Sequence, residues 1–241
     1  MTIRFSIKDW IAWAPGLEDR AAWMAWARAP IAPHGDDRPT AAQVPAMLRR
    51  RLNRLGRMAL ECAYAIHPGE PCPVLFCSRH GDTERALALL SDLAACQPLS
   101  PGSFGMSVHN AVGAVFSIAR GDTANYRAIA SGADSVESGV IEACGMLADG
   151  TPQVLLVAYD VELPGIYGAF ADEPQASWAW AWLLESESGG GGTWSLEPSG
   201  PGGGPAGVLP HGLEVLRFIL AGEAELAYGS GPWGWCWRRH D

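Results

Sequence analysis

Several features that would reveal a function directly are missing from this chain of 241 residues. Acidic residues outnumber basic ones by 26 to 17, and the net charge of -9 argues against general nucleic-acid binding. The N-terminus lacks the apolar core of a signal peptide, and no uncharged apolar span is long enough to cross a membrane. We therefore expect a cytoplasmic protein without stable membrane insertion. A G-x-S-x-G nucleophile motif and internal repeats are also absent.

The spacing of the cysteines argues against a cysteine-based site. The six cysteines form no C-x-x-C pair and no regular framework, and several lie inside apolar runs. Buried, reduced thiols are the usual arrangement in such runs. We therefore expect no metal site and no cofactor.

Composition and periodicity predict a globular α/β protein. A chain with 48% hydrophobic and 18% charged residues is typical of folded domains, and 241 residues can bury a full core. Because strand patterns alternate with helix patterns, we interpret residues 1–241 as a single α/β domain. Nine glycines between positions 189 and 207 predict a flexible excursion, followed by a short C-terminal helix and strand pair.

Apolar periodicity places the individual elements. The clearest is one amphipathic helix over residues 45–66. Residues 98–103 are expected to form a proline-bounded loop, and residues 178–185 and 193–197 to pair as a hairpin. The other predicted elements are helices at 83–95, 108–119, 134–148 and 213–220, strands at 74–77, 126–130 and 154–159, and a strand pair within 224–238.

Residues 98–135 carry the most specific pattern in the chain. They read P-L-S-P-G-S-F-G-M-S-V-H-N-A-V-G-A-V-F-S-I-A-R-G and, after a short gap, Y-R-A-I-A-S-G-A-D-S. Together with M-L-R-R-R-L-N-R-L-G-R-M-A-L at 47–60 and V-L-F-C-S-R-H-G at 74–81, this pattern resembles the β-ketoacyl synthase family. Within it, the chain is similar to the short N-terminal-domain-like proteins of aryl polyene and pigment biosynthesis, over roughly residues 1–185. The resemblance implies one half of a thiolase-like sandwich, a mixed β-sheet flanked by helices.

The same resemblance locates the family's nucleophile. Active synthases carry the pattern S-I-A-x-x-C, in which the cysteine begins a helix, and here Ala133 stands at the cysteine position. The family's two further histidines, in H-G-T and G-H contexts, have no match, since the chain offers only His80-Gly81-Asp82 and His211-Gly212-Leu213 and ends near the point where the second half would begin. The departures imply a protein without condensation activity.

The residues around Ala133 support a helix start but not a nucleophile. Asp134 is a candidate N-cap, and Glu137, three residues later, is placed as in a capping box. A helix N-terminus stabilises a thiolate, but an alanine cannot form a thioester. A serine there would need a positioned base.

Two hypotheses beside a non-catalytic role remain open. In the first, Ser131 or Cys77 acts with His80 or His109 as a hydrolase or acyltransferase on carrier-protein thioesters. In the second, the protein is a self-associating scaffold that binds carrier proteins. The leading hypothesis is a chain-length-factor-like subunit, which completes a dimer with an active ketosynthase, or with a second copy of itself, and limits the length of the product.

Two groups of residues are candidates for contact with partners. The resemblance implies a dimer interface along one strand, at Ala124, Tyr126, Ala128, Ile129, Ala130 and Ser131. A basic cluster on the 45–66 helix consists of Arg49, Arg50, Arg51, Arg54 and Arg57. We consider three roles for this cluster: a solvated helix face, pairing with the chain's own Glu61 and Glu142, or docking of an acidic acyl carrier protein.

Eleven tryptophans are present, and those at 178, 180 and 182 and at 233, 235 and 237 alternate with the period of a strand. One strand face would then carry a tryptophan stripe. Core packing is one interpretation of this stripe, and the wall of an acyl tunnel or a subunit interface is the other.

Overall fold

The computed structural model describes residues 2–187, 192–200, 207–229 and 233–240. Its strands are β1 (Ile3–Trp13), β2 (Val74–Cys77), β3 (Tyr126–Ile129), β4 (Val154–Asp160), β5 (Trp178–Glu185), β6 (Gly192–Ser199), β7 (Glu225–Gly229) and β8 (Gly234–His240). Its helices are α1 (Arg20–Trp26), α2 (Ala46–Arg49), α3 (Arg54–Ile66), α4 (Thr83–Ala94), α5 (Pro101–Ser107), α6 (Ala111–Arg120), α7 (Ser135–Ala148) and α8 (His211–Ala221), with a 3₁₀ helix at Gly165–Phe170. Among these residues, no helix has the length and apolar character needed to span a bilayer.

All eight strands form one mixed sheet in the order β3-β2-β4-β5-β1-β6-β8-β7. Strand β2 runs parallel to β3 and to β4, and the other neighbouring strands are antiparallel. Helices cover both faces, which confirms the predicted α/β class and the mixed sheet. Strands β3 and β7 stand at the two edges.

Side chains that alternate along the central strands divide the core into two layers. On β4, Val154, Leu156 and Ala158 pack with helices α1, α7 and α8. Leu155, Val157 and Tyr159 point to the opposite face, where α3 and α6 lie. Because both faces are covered, β4 is buried along nearly its whole length.

The tryptophan stripe on β5 belongs to the core. The rings of Trp178, Trp180 and Trp182 are stacked, with centroids 6.4 and 4.1 Å apart, and none is more than 3% exposed. Trp237 of β8 packs edge-to-face with Trp182, at a centroid distance of 6.4 Å. The stripe therefore contributes packing area and lines no open channel among the described residues.

The predicted hairpin between residues 178–185 and 193–197 is wrong. Strands β5 and β6 do not pair with each other, because β1 lies between them and pairs with both. A local pattern predicts that a segment is a strand, but it does not identify the neighbour of that strand. Residues 188–191 and 201–206 lie outside the described residues, whereas residues 192–199 of the predicted glycine-rich excursion form strand β6.

The single helix predicted over residues 45–66 is also wrong, since α2 ends at Arg49 and α3 begins at Arg54. Asn53 caps the second helix by accepting a hydrogen bond from the Gly56 N–H at 3.3 Å. Residues 98–103 do not form a loop throughout, because Ser100 caps α5 by accepting from the Ser103 N–H. Pro101 follows at the first helical position, where proline is favoured.

Candidate functional site

Ala133 lies in the turn that joins β3 to α7, as the resemblance implies. The Ser135 hydroxyl ties this turn together, accepting from the Ser131 N–H at 2.9 Å and donating to the Gly132 carbonyl at 2.7 Å. Asp134 occupies the N-cap position, but its side chain makes no capping hydrogen bond. The predicted capping box is therefore wrong, and the turn depends on Ser135 instead.

Glu137 is buried in the core, where it contacts residues from the C-terminal third of the chain. Its side chain is fully buried, and Oε1 lies 2.7 Å from His211 Nε2 and accepts from Trp237 Nε1 at 3.0 Å. The His211 ring stacks on Tyr228 at a centroid distance of 3.4 Å. A carboxylate that is buried this deeply requires such partners. We therefore interpret the Glu137–His211–Trp237 cluster as a structural hydrogen-bond network that holds α7, α8 and β8 together.

The N-terminus of α8 lies beside this cluster and is held there by hydrogen bonds and close packing. Trp180 Nε1 donates to the Gly212 carbonyl at 2.9 Å, and the His211 N–H donates to Glu173 Oε2 at 2.8 Å. A Cβ added to Gly212 would stand 2.1 Å from the Trp178 ring, which explains why glycine occupies this position. The helix therefore approaches β5 as closely as its backbone allows.

Between these elements, beside Ala133, a small cavity remains. Its volume of about 20 Å³ is enough for one water molecule. Polar groups line it on several sides, including Arg79, Ser135, Asp160, Glu173 and His211. Among the described residues, neither His211 Nδ1 nor Glu137 Oε2 has a hydrogen-bond partner. Among the described residues, the cavity that borders Ala133 is therefore too small for an acyl group.

Asp160 organises the turn after β2 from the end of the neighbouring strand. It accepts from the Ser78 hydroxyl at 2.7 Å and from the N–H groups of Arg79 and His80 at 3.0 and 3.3 Å. Burial raises the pKa of the Asp160 carboxyl to about 6, and these hydrogen bonds to its charged form limit the increase. This role was not predictable from local patterns, because Ser78 follows β2 whereas Asp160 ends β4, 82 residues later.

We expect the Asp160 carboxyl to titrate near pH 6, far above its ordinary pKa of 3.8. The pKa in the folded protein is the higher one, so ionisation of this group opposes folding. Its contribution to stability is complete below about pH 4 and is lost as the pH rises through about 6. Carbon-13 NMR of the side-chain carboxyls measures the midpoint, and the signal is assigned by its absence in Asp160→Asn. A midpoint near 4 would contradict the expectation.

The structure does not place the candidate nucleophiles, Ser131 and Cys77, in hydrogen-bond contact with a histidine base. Burial raises the pKa of the Cys77 thiol, and the nearby Asp160 raises it further. His109 Nε2 lies 2.9 Å from the Ser78 carbonyl, and the pKa of His80 is lowered by burial and by Arg79. Among the described residues, no hydrogen bond joins Ser131 or Cys77 to either histidine. Their proposed catalytic roles stay predictions.

We expect one of the six thiols to react under native conditions. Cys96 is exposed and the other five are buried. Burial raises the pKa of Cys72 to about 11 and of Cys144 to about 12. Titration with Ellman's reagent should therefore count one thiol in the folded protein and six in guanidinium chloride. Fast native labelling that maps to Cys77 would instead support the nucleophile hypothesis.

The basic cluster divides into two sets. Arg49, Arg54 and Arg57 are half-buried and donate to backbone carbonyls of the surrounding chain, including those of Ala42 and Gly35. Arg50 and Arg51 are exposed and line a cleft of about 510 Å³. This division makes the exposed pair the part of the cluster that is accessible to a partner.

One of the three roles considered for this cluster, pairing with Glu61 and Glu142, is not found in the structure. Glu61 accepts from the Ala41 N–H at 2.8 Å, and Glu142 pairs with Arg127. Among the described residues, no carboxylate forms an ion pair with any of the five arginines. Arg85 of α4 also lines the cleft, which was not predicted from the sequence, and it pairs with Asp82.

The expected interface residues lie along an open sheet edge. Strand β3 pairs with β2 on one side, through Tyr126↔Val74 and Ala128↔Phe76, and has no strand on its other side among the described residues. Tyr126, Ala128 and Ile129 are half-buried, whereas Ala130 and Ser131 are exposed. Ala124 is half-buried just before the strand. Such an edge has unpaired backbone groups that another strand can use.

Comparison with known proteins gives a family match and several similar structures. The model of the β-ketoacyl synthase N-terminal domain matches residues 23–238. A search of curated proteins found no match. A solved structure of a ketosynthase in complex with its chain length factor, from Xenorhabdus doucetiae, is similar at 30% identity and a TM-score of 0.86, covering 98% of this chain and 100% of that chain.

Two further structures are similar at lower identity. The ishigamide ketosynthase/chain length factor is 16% identical with a TM-score of 0.62, over 82% of this chain and 67% of that one. A β-ketoacyl synthase from Burkholderia phymatum STM815 is 14% identical with a TM-score of 0.61, over 84% and 65%. At these identities the similarity shows the fold alone.

Proposed function

The chain belongs to the β-ketoacyl synthase N-terminal domain family, and from that membership we propose that it is a non-catalytic partner subunit of an active ketosynthase. It would complete a dimer with that enzyme and limit chain length in aryl polyene or related pigment biosynthesis. The relative from Xenorhabdus doucetiae, a ketosynthase bound to its chain length factor, supports this proposal.

The observation that carries the proposal is the residue at position 133. The methyl group of Ala133 stands in the turn before α7, where the family's active members place a cysteine. No thioester can form on alanine, so the condensation step would have to occur on the partner. The cavity beside Ala133 admits about one water molecule, which is consistent with a site that has lost its acyl substrate.

The open edge of β3 supports an assembly with a second subunit. An unpaired strand edge is a liability in a monomer, because it templates pairing with other chains. Pairing with the corresponding strand of a ketosynthase would satisfy the edge groups around Ala128 and Ile129.

Co-expression with the ketosynthase encoded nearest to the protein tests the proposal. We expect a stable complex in size exclusion with mass detection, no condensation activity in the isolated chain, and altered product length or solubility when the chain is omitted. If the ketosynthase alone gave normal product of normal length, the proposal would fail. Acylation of Ser131 by a thioester probe would favour the hydrolase hypothesis instead.

Carrier-protein docking at the exposed arginines is a further part of the proposal. Arg50 and Arg51 line a cleft at the surface, and their positive charges would attract the acidic surface of a carrier protein. We expect Arg50→Glu/Arg51→Glu to weaken carrier binding at least ~10-fold at low salt, with less effect at high salt. Arg28→Glu, a reversal at another exposed arginine, is the control. Equal binding by all three proteins would contradict docking here.

A further inference from the structure

Helices α4 and α5 bury none of their residues. Every residue of α4, from Thr83 to Ala94, is at least partly exposed. A helix of twelve residues is marginal in water without an apolar surface to pack against. We call residues 83–107 the arm. Helix α4 therefore lacks the packing that normally stabilises a helix of this length, whereas Met106 of α5 packs against the core.

The arm is held to the body of the protein by few contacts. Helix α4 packs chiefly on α5, and α5 in turn on α4 and α6. Polar contacts are made at its base, where Asn53 Nδ2 donates to Asp82 Oδ1 at 2.9 Å and Arg85 donates to the Arg51 carbonyl at 3.1 Å. The outer part of the arm extends beyond these contacts.

The arm presents large apolar side chains to solvent. Leu90, Leu93 and Phe104 are 55%, 59% and 62% exposed, and Leu99 is 42% exposed. Ile118 on α6 is 67% exposed. At roughly 100 Å² of exposed area each, these five side chains present about 500 Å², which is more than half of the ~800 Å² that one partner contributes to a standard interface. This area is comparable to the largest apolar patch of a typical monomer, and such a patch is often functional.

Helix α6 connects this apolar surface to the β3 edge. Gly113 of α6 lies against Tyr126 of β3, so closely that a Cβ on the glycine would stand 2.5 Å from the ring. The exposed Ile118 lies on the same helix, which also packs on α5. Helix α6 thus lies between the arm and the edge at which the partner subunit is proposed to pair.

We infer that the arm is an assembly element whose exposed apolar side chains gain fixed packing only against the ketosynthase subunit. An apolar face of that subunit would cover the arm. The interface at β3 would then extend across α6 onto α4 and α5. This inference rests on the proposed function. Because the arm is ordered by the partner, assembly couples the folding of residues 83–107 to binding.

Hydrogen exchange with mass spectrometry tests the coupling. In the isolated chain, amides of the arm should exchange at least ~10-fold faster than those of α7, whose residues are largely buried. In the complex with the ketosynthase, exchange of the arm should slow at least ~10-fold, while that of α7 changes little. Arm amides that exchange equally fast with and without the bound ketosynthase would overturn the inference.

A pair of surface variants provides a second measurement. Leu90→Glu/Leu93→Glu places two charges on exposed positions, so the fold of the isolated chain and its melting temperature should be unchanged. We expect the Kd for the ketosynthase to rise at least ~100-fold, because the charges would be buried on assembly. The control is Ile166→Glu, at a residue that is 71% exposed in the 3₁₀ helix, outside the arm. Wild-type affinity in the double variant would refute the inference.

The two proposals fail in different ways. A wild-type chain that forms no complex with the ketosynthase contradicts the proposed function, and the arm inference falls with it. A complex that forms normally while the arm stays unprotected contradicts the arm inference alone. Protection that arises only from self-association, without the ketosynthase, would also contradict it, because the occupant would then be a second copy.

Discussion

Replacing Glu137 by leucine should lower the free energy of unfolding by about 4 kcal/mol, because it leaves buried groups without their acceptor. Both Trp237 Nε1 and His211 Nε2 contact Glu137 Oε1, and all three residues are at most 5% exposed. At about 2–4 °C per kcal/mol for a chain of this size, the melting temperature should fall by roughly 10 °C. Thermal and urea unfolding measure the change.

Two variants define what the Glu137 result means. Glu137→Gln keeps an oxygen acceptor and should lose less stability than leucine. Glu142→Gln removes a carboxylate from the same helix, where its partner Arg127 is half-exposed, and should cost less than about 1 kcal/mol. If the leucine variant were as stable as Glu142→Gln, the claim that the buried Glu137 cluster stabilises the fold would be contradicted.

The second large effect is expected at Gly139, where α7 crosses the sheet. A Cβ on this glycine would stand 2.4 Å from the Cys77 sulfur and 2.9 Å from a methyl carbon of Leu156. Gly139→Ala should therefore cost about 3 kcal/mol through overpacking, and the melting temperature should fall by roughly 8 °C. Differential scanning calorimetry gives both quantities.

The same helix offers a matched control at Gly145, which is exposed and has no atom within 4 Å of an added Cβ. Gly145→Ala should raise stability by about 0.5–1 kcal/mol, since alanine is the better helix former. Adding Cys77→Ala to Gly139→Ala removes the sulfur that the new methyl group meets, so the double variant should be more stable than Gly139→Ala alone. Equal effects of alanine at 139 and 145 would contradict this packing argument.

The order of elements was predictable to a large extent, because helices and strands leave periodic apolar patterns in the sequence. Strand β2, helix α7 and the face of β5 that carries the tryptophans follow from such local patterns. The break between α2 and α3 escaped prediction, since the apolar stripe continues through it. Asn53, a favoured N-cap residue, was the available signal.

The candidate site was less predictable, because its contacts join distant segments. Glu137 occupies a position that fits a capping box, yet its partner His211 lies 74 residues away. The local capping rule therefore competed with a long-range contact, and the long-range contact formed because it satisfies the buried carboxylate. His211 was visible as a histidine before a predicted helix, but the sequence did not connect it with Glu137 or Trp237.

The central position of β1 has a consequence for how the chain folds during synthesis. Its neighbours β5 and β6 begin at Trp178 and Gly192, so the strand is made long before either can pair with it. At about 5–20 residues per second, the delay is on the order of 10–30 s. For that time the ribosome-bound chain exposes an unpaired strand with two open edges. Its yield in the cell should therefore respond strongly to chaperones and to the rate of translation.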